Sequence, residues 1–399
     1  MTAKFDLYPQ PIQVKSEGQY RSCLIKQTSG DGNVTEKTLW YLYPHNIPLP
    51  EDDDCDSYLL ASLLPAMKLG ASIKLHGKAS KELLSNLTEL QMIWVTWCPQ
   101  TYTIVNIKVD EVEDKYTLQN NNTIVAFSGG LDASFSAYRH ATKQAGFANK
   151  NLIAGVLVHG FDIPLNDYKG FHRAKNKAIE TLTDINLSLL DVKTNLRDAW
   201  DINWAHYYAT AVASVLTSLY KVASSGLIGS GPTYQLLFTP CGSHPMTDPL
   251  LSTSSFRIIH DGAAFSRSDK TSTIANWAIG VKNLRVCWVG DNRDKNCGVC
   301  EKCVRTRLNF LVSGVSNPEC FDEPLNESHF SSIKLTSDGS RSDWILIRNK
   351  ILKTKRGIEF LPNIEKVLKR KHSAKLSFIL PPNSKRRKFV KNIVNKVKR

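Results

Sequence analysis

The 399-residue sequence contains no apolar run that approaches the roughly 20 residues of a membrane-spanning helix, so we expect a chain that does not cross a bilayer. Its first residues show no basic segment leading into an apolar stretch and no small-residue cleavage site, so no export signal is legible. We therefore expect a cytoplasmic protein. Internal repeats are also missing, and nine cysteines, an odd number, do not suit a disulfide framework in a chain of this size.

Nearly all of the excess positive charge lies at the C-terminal end of the sequence. The formal net charge is +14, but residues 366–399 hold 13 Lys or Arg and no acidic residue, which leaves 38 basic against 37 acidic residues in residues 1–365. Residues 1–365 are therefore close to electrically neutral. Nucleic-acid binding through the basic tail stays open but is not favoured, because no aromatic stacking platform interleaves with its basic residues.

The order of strand-like and helix-like segments predicts an α/β protein of three parts. Residues 1–118 mix short β-like runs with one helix over residues 57–69, which predicts an accessory α+β domain. Residues 119–318 alternate apolar strands, the last at 284–288, with helices, and this predicts a doubly wound parallel sheet that binds ligands at the carboxyl ends of its strands. Residues 319–399 are predicted to form a helical, strongly basic C-terminal extension.

A glycine turn follows the first strand of this predicted sheet. The stretch Ser128-Gly129-Gly130-Leu131-Asp132-Ala133-Ser134 opens a helix, where adjacent glycines let backbone amides face a ligand and the helix start adds unpaired N–H groups. Such a concavity suits pyrophosphate. The chain has no Gly-x-x-x-x-Gly-Lys-Ser/Thr, and the spacing is wrong for a dinucleotide-binding turn, which leaves an ordinary tight strand-to-helix turn as the alternative.

Four cysteines crowd into 17 positions later in the chain. Cys287, Cys297, Cys300 and Cys303 form the pattern C-x9-C-x2-C-x2-C, and four thiolates at such spacing can close a tetrahedron around Zn²⁺. We expect a structural role, because the protein would fill all four coordination positions of the metal. Free buried thiols and an iron–sulfur cluster are the alternatives.

Both motifs resemble those of known families. FSGGLDAS resembles the SGGxDS signature of PP-loop ATP pyrophosphatases, and CGVCEKCVRTR resembles the zinc knuckle of the 7-cyano-7-deazaguanine synthase (QueC) family. The resemblance covers about residues 122–312, and it implies an adenine nucleotide alpha hydrolase-like, Rossmann-like fold. It also implies that ATP is cleaved between its α and β phosphates, with Lys270 at the phosphates and Asp132 binding Mg²⁺. The pyrophosphate would be held by Ser128, Gly129, Gly130, Leu131 and Ser134.

Two departures from the QueC family bear on function. The signature has Ser where this chain has Ala133, so one hydroxyl contact is lost unless Ser134 supplies it. The first 118 residues and the tail have no counterpart in ordinary members, which favours a diverged member such as the QatC-type proteins of bacterial antiphage operons.

The resemblance implies a reaction. In the QueC family, 7-carboxy-7-deazaguanine is activated as its adenylate and passed to ammonia, which gives an amide and then a nitrile. If the N-terminal region presents a protein or peptide amine from the same operon, the product would instead be a conjugate. A tRNA-modifying PP-loop enzyme and a catalytically inactive nucleotide-binding scaffold stay open as alternatives.

Further polar residues follow predicted strands, where such sheets bind ligands. His159 and Gly160 are predicted to contact the nucleotide, with a cap of a turn as the alternative for His159. Arg267 and Lys270 lie one helical turn apart and can face the same anion, although a solvated helix face is the alternative. The residues predicted to line the acid-substrate site are Asp162, Ser243, His244, Asp248, Asp261 and Arg267, with ordinary turn chemistry as the alternative for the loop residues.

Overall fold

The computed structural model describes residues 3–113, 120–237, 240–287, 289 and 293–370. The chain forms two compact units, Met1–Asn296 and Cys297–Arg399. No helix within the described ranges is both long and apolar enough to cross a membrane. The basic tail lies almost wholly outside the described residues, and the domain limits placed at residues 118 and 318 stay predictions.

The described part of the first unit contains ten strands and eight α-helices. The strands are β1 (Lys4–Lys15), β2 (Gly18–Thr28), β3 (Val34–Tyr43), β4 (Ser72–Ser80), β5 (Ile107–Glu113), β6 (Asn122–Ala126), β7 (Asn151–His159), β8 (Ser188–Thr194), β9 (Ser225–Gly229) and β10 (Arg257–Asp261). The helices are α1 (Asp56–Leu69), α2 (Lys81–Trp97), α3 (Leu131–Ala141), α4 (Tyr168–Asp184), α5 (Leu196–Ala199), α6 (Trp204–Thr217), α7 (Arg267–Ile274) and α8 (Ala278–Asn283).

All ten strands belong to one sheet with the order β10-β9-β6-β7-β8-β3-β2-β1-β4-β5. Six of its nine pairings are parallel, which confirms an α/β fold with a large, mostly parallel central sheet. The adenine nucleotide alpha hydrolase fold stays a prediction.

The strand order reverses beside β6. The chain runs from β6 to β7 and β8 on one side, then returns to add β9 and β10 on the other. Because crossovers between parallel strands are right-handed, the connecting helices before and after this return lie on opposite faces of the sheet. Accordingly α3 and α4 pack against β7 and against α7 and α8, whereas α6 packs against β6, β9 and α1. Such a reversal leaves a crevice at the carboxyl ends of the strands.

The N-terminal strands extend the same sheet. β1, β2 and β3 form an antiparallel meander, and β3 joins β8 through a short antiparallel pairing that sets Tyr41 opposite Thr194. α1 is apolar almost all round and is buried along nearly its whole length, as such a composition requires. Its leucines at positions 59, 60, 63 and 64 are fully buried, each contributing about 1.5–3 kcal/mol of hydrophobic stabilisation.

The strand predicted at residues 284–288 is wrong, because residues 284–287 form no strand. The side chain of Asn296 donates to the carbonyl of Leu284 and accepts from the backbone N–H of Val286, both at 2.8 Å. These bonds take the place of a ladder to a neighbouring strand. The apolar run that suggested a strand is instead a loop bonded to the Asn296 amide.

The described part of the second unit is helical. Its helices are α9 (Glu301–Val312), α10 (Asp338–Thr354) and α11 (Leu361–Lys369). Val304, Leu308 and Trp344 are fully buried in its core, and Trp344 Nε1 donates to Glu301 Oε1 at 2.8 Å. This unit therefore has a hydrophobic core of its own.

Candidate functional site

The predicted phosphate-binding turn lies where the strand order reverses. β6 ends at Ala126 and α3 begins at Leu131, so the turn occupies the carboxyl end of a central strand. Gly129 has a φ of +73°, in the left-handed region that residues with side chains rarely adopt. Gly130 precedes α3 and makes no side-chain capping bond, and the start of a helix is a place that favours an anion.

Asp132, in the first turn of α3, is held by two cations of α7. Lys270 Nζ lies 2.9 Å from Asp132 Oδ1, and Arg267 NH1 lies 3.1 Å from Asp132 Oδ2. Lys270 is fully buried and also donates to the carbonyl of Ser230, the residue that follows β9. The structure therefore brings the predicted residues Asp132, Lys270 and Arg267 together, and it directs both cations to the same carboxylate.

Arg285, which the sequence analysis missed, closes another side of the turn. Its NH2 donates to the carbonyl of Ser128 and its backbone N–H donates to the carbonyl of Gly129, both at 2.8 Å. Ser128, Gly129, Ser134, Lys177 and Arg285 are among the residues that line one small cleft. The only sequence signal for Arg285 was a lone arginine inside an apolar run next to the cysteine cluster.

Ala133 and Ser134 differ in their relation to the cleft. Ser134 lines the cleft beside the turn, whereas Ala133 does not. The replacement of the missing hydroxyl by that of Ser134 stays a prediction. Asp162 also reaches this region, because its Oδ2 lies 3.5 Å from Arg285 NH2.

His159 and Gly160 make close contacts within the protein. The ring of His159 stacks on Phe171, with centroids 4.1 Å apart, and Nε2–H donates to the carbonyl of Pro164 at 3.0 Å. Burial lowers the pKa of His159 below its usual value, so the ring is neutral near pH 7. A Cβ on Gly160, whose φ is +106°, would lie 1.9 Å from the carbonyl oxygen of Thr194. Local packing accounts for both residues, and their contact with a nucleotide stays a prediction.

Asp261, predicted to contact substrate, is bonded to three residues of α3. Its carboxylate accepts from Ser136 Oγ at 2.7 Å and from Arg139 NH1 at 2.9 Å, and it lies 3.2 Å from His140 Nε2. Burial acts to raise the pKa of Asp261, but the hydrogen bonds from His140 and Ser136 and the nearby positive charge hold it below its usual value. In this arrangement Asp261 ties β10 to the helix that carries Asp132.

Replacing Asp261 is expected to destabilise the protein in a pH-dependent way. Asp261→Asn leaves Arg139 without its carboxylate, and breaking such a buried pair costs about 3 kcal/mol. Because the pKa of Asp261 is lowered on folding, its contribution is present above the unfolded value of about 3.9 and is lost as the pH falls through the folded value. Urea denaturation should therefore show a constant difference between wild type and variant near neutral pH, which shrinks in acid.

A more exposed ion pair provides the control for this prediction. Asp191 lies 2.9 Å from Lys175, and the two side chains are 27% and 33% exposed. Asp191→Asn is expected to cost at most about 1 kcal/mol. Equal costs for the two variants would contradict the role assigned to Asp261.

Ser243, Asp248 and His260 form a buried hydrogen-bonded group near the carboxyl end of β10. Ser243 Oγ–H donates to Asp248 Oδ2 at 2.6 Å, and the same Oδ2 lies 2.7 Å from His260 Nδ1. His244 is bonded separately, with Nε2 2.9 Å from the carbonyl of Leu237 and its backbone N–H 3.1 Å from Asp248 Oδ1. The structure thus joins three predicted residues, Ser243, His244 and Asp248, to His260, which the sequence analysis did not single out.

The four predicted metal-ligating cysteines come together. The Sγ atoms of Cys287, Cys297, Cys300 and Cys303 all lie within 4.8 Å of one another. A tetrahedral Zn²⁺ site with Zn–S bonds of about 2.3 Å places its sulfurs about 3.8 Å apart, and the Sγ atoms of Cys297 and Cys303 are 3.8 Å apart. The backbone N–H of Cys300 also points to Cys297 Sγ at 3.3 Å, as suits a thiolate. This cluster could hold a metal such as zinc.

Comparison of the chain with protein-family models, with curated protein sequences and with solved structures found no match.

Proposed function

We propose that this chain is an ATP-dependent, AMP-forming enzyme of the PP-loop type, which activates a carboxylate as its adenylate and transfers the acyl group to an amine. The observation that carries the proposal is the glycine turn at the reversal of strand order, with Asp132, Lys270 and Arg285 around it. Backbone amides at a helix start together with buried cations favour phosphate over an uncharged ligand.

The charged residues have distinct roles in this proposal. Lys270 and Arg285 would neutralise the charge on the phosphates, and the N–H groups at the start of α3 would bind the pyrophosphate as it leaves. Mg²⁺ suits a site made of one or two carboxylates and substrate phosphates. The Asp132 carboxylate, 21% exposed and paired with Lys270 and Arg267, would turn to Mg²⁺ as these two cations turn to the phosphates. When bound there, Mg²⁺ would supply Lewis-acid stabilisation of the phosphate charge.

The chemistry is an attack of a carboxylate oxygen on the α phosphorus of ATP. The bond between the α phosphorus and the bridging oxygen breaks, and pyrophosphate leaves. The resemblance to the QueC family favours a 7-deazaguanine acid as the carboxylate and ammonia or a protein or peptide amine as the acceptor, with antiphage defence as the setting. Zinc in the four-cysteine cluster would have a structural role.

The test is acid-dependent formation of AMP and pyrophosphate. Purified protein with ATP and Mg²⁺ is expected to release both products when 7-carboxy-7-deazaguanine or a related carboxylate is added, and neither without an acid. Intact-mass measurement of candidate acceptor proteins in the same reaction would detect a conjugate. Release of ADP and inorganic phosphate, or no release with any carboxylate in the panel, would overturn the proposal.

Two other results would favour the alternatives. Nucleotide binding without turnover, equal in wild type and Asp132→Asn, would indicate a scaffold. Pyrophosphate release that requires tRNA and weakens steeply with salt would indicate a tRNA-modifying enzyme.

A further inference from the structure

His260 has the surroundings of a positioned base. Its Nδ1 lies 2.7 Å from Asp248 Oδ2, and the side chains of His260 and Asp248 are 3% and 0% exposed. Ser243 Oγ–H donates to the same carboxylate oxygen, which fixes the orientation of the carboxylate. A carboxylate that accepts a hydrogen bond from Nδ1–H leaves the lone pair of the neutral imidazole on Nε2.

The Nε2 atom of His260 is buried and has no hydrogen-bond partner. A buried polar atom left unpaired costs free energy, so native structures satisfy most such atoms. Asp248, which Ser243 orients, holds the ring in this orientation in spite of that cost. An unpaired, well-oriented Nε2 is the arrangement that a proton-accepting histidine requires.

His260 lies at the same edge of the sheet as the proposed phosphate site but on the other face. In the register of β9 and β10, Ile228 is opposite His260 and Gly229 is opposite Asp261. Side chains alternate along a strand, and Asp261 points to α3, so His260 points to the opposite face. The next residue after β9, Ser230, accepts a hydrogen bond from Lys270. His260 and Lys270 therefore flank the same end of two neighbouring strands.

We propose that His260 is the general base of the acyl-transfer step, an inference that rests on the proposed function. The amine nitrogen forms a bond to the acyl carbon of the adenylate, and the bond from that carbon to the AMP oxygen breaks. AMP leaves with the electron pair, and the proton of the amine passes to His260 Nε2. Asp248 stabilises the imidazolium that forms.

The test measures amide formation and pyrophosphate release in the same samples. In His260→Ala, the rate of amide formation is expected to fall about 10²–10⁴-fold, the usual contribution of a positioned base, with fewer amides formed per pyrophosphate. Added imidazole is expected to restore part of the lost rate, which a purely structural residue would not allow. Asp248→Asn should also lower amide formation, because the ring then loses its carboxylate.

Another buried histidine provides the matched control. His206 contacts Trp94 and the hydroxyl of Tyr102, and His206→Gln is expected to leave the ratio of amide to pyrophosphate unchanged. If His260→Ala fails to fold, His260→Gln replaces it in the same assay. A ratio of amide to pyrophosphate that is the same in the His260 variant and in wild type would overturn this inference alone. Wild-type protein that releases no pyrophosphate would overturn the proposed function and this inference with it.

Discussion

Lys270→Met is expected to lower acid-dependent pyrophosphate release about 10²–10³-fold while the protein stays folded, because it removes one fixed positive charge from the phosphates. The melting temperature should change by no more than about 4 °C. Burial of a lysine costs free energy that methionine does not, and Asp132 keeps its ion pair with Arg267. A large loss of activity with little loss of stability would separate a phosphate-binding lysine from a structural one.

A lysine outside the site supplies the control. Lys68 pairs with Asp201 and its side chain is 33% exposed. Lys68→Met is expected to alter both activity and stability little, since exposed ion pairs contribute about 0–1 kcal/mol. If Lys270→Met retained full activity, Lys270 would have no place at the phosphates. If it unfolded the protein, Lys270→Gln, which keeps a donor for the Ser230 carbonyl, would answer the question.

The parts of the site that could be predicted from the sequence are those in which the residues lie close together along the chain. The glycine turn was predicted from the residue types at positions 128–134 and from the strand that precedes them. Arg267 and Lys270 were paired by helical spacing alone, and the structure shows both on one face at Asp132. The four cysteines were likewise found by spacing, because they lie within one short segment.

Long-range pairings account for what the sequence did not show. Arg285 was hidden because its apolar neighbours favoured a strand, whereas the Asn296 side chain holds that segment as a loop beside Ser128. Asp261 was assigned to substrate because it follows a predicted strand, and its partners Arg139 and His140 are more than a hundred residues away in sequence. The same distance in sequence concealed the pairing of β3 with β8, which extends the sheet into the N-terminal region.

His260 was within reach of sequence reasoning. It lies next to Asp261 in β10, and the period of two along a strand places neighbouring side chains on opposite faces. Two polar residues in succession at the carboxyl end of a strand therefore point to opposite faces of the sheet. The sequence did not show which residue pairs with His260, because its partner Asp248 lies in a segment with no regular sequence pattern.

Removal of one cysteine ligand is expected to have the largest effect on stability. Wild-type protein should contain about one zinc ion per chain by elemental analysis, and Cys303→Ala should contain almost none. The variant should melt at least about 10 °C lower, because the free energy of metal binding is also free energy of folding. A strong chelator should produce the same shift in wild type but no further shift in the variant.

A cysteine outside the cluster separates metal loss from simple loss of a thiol. Cys98 is half-buried in the first unit, and Cys98→Ala is expected to keep its zinc and melt within about 4 °C of wild type. Iron with visible absorption in place of zinc would assign the cluster to iron–sulfur chemistry. Wild-type protein without metal, together with equal melting temperatures for Cys303→Ala and Cys98→Ala, would show that the four thiols are structural contacts only. Because cysteine thiols must lose their protons to bind metal, the stability that zinc supplies should fall as the solution is made acidic.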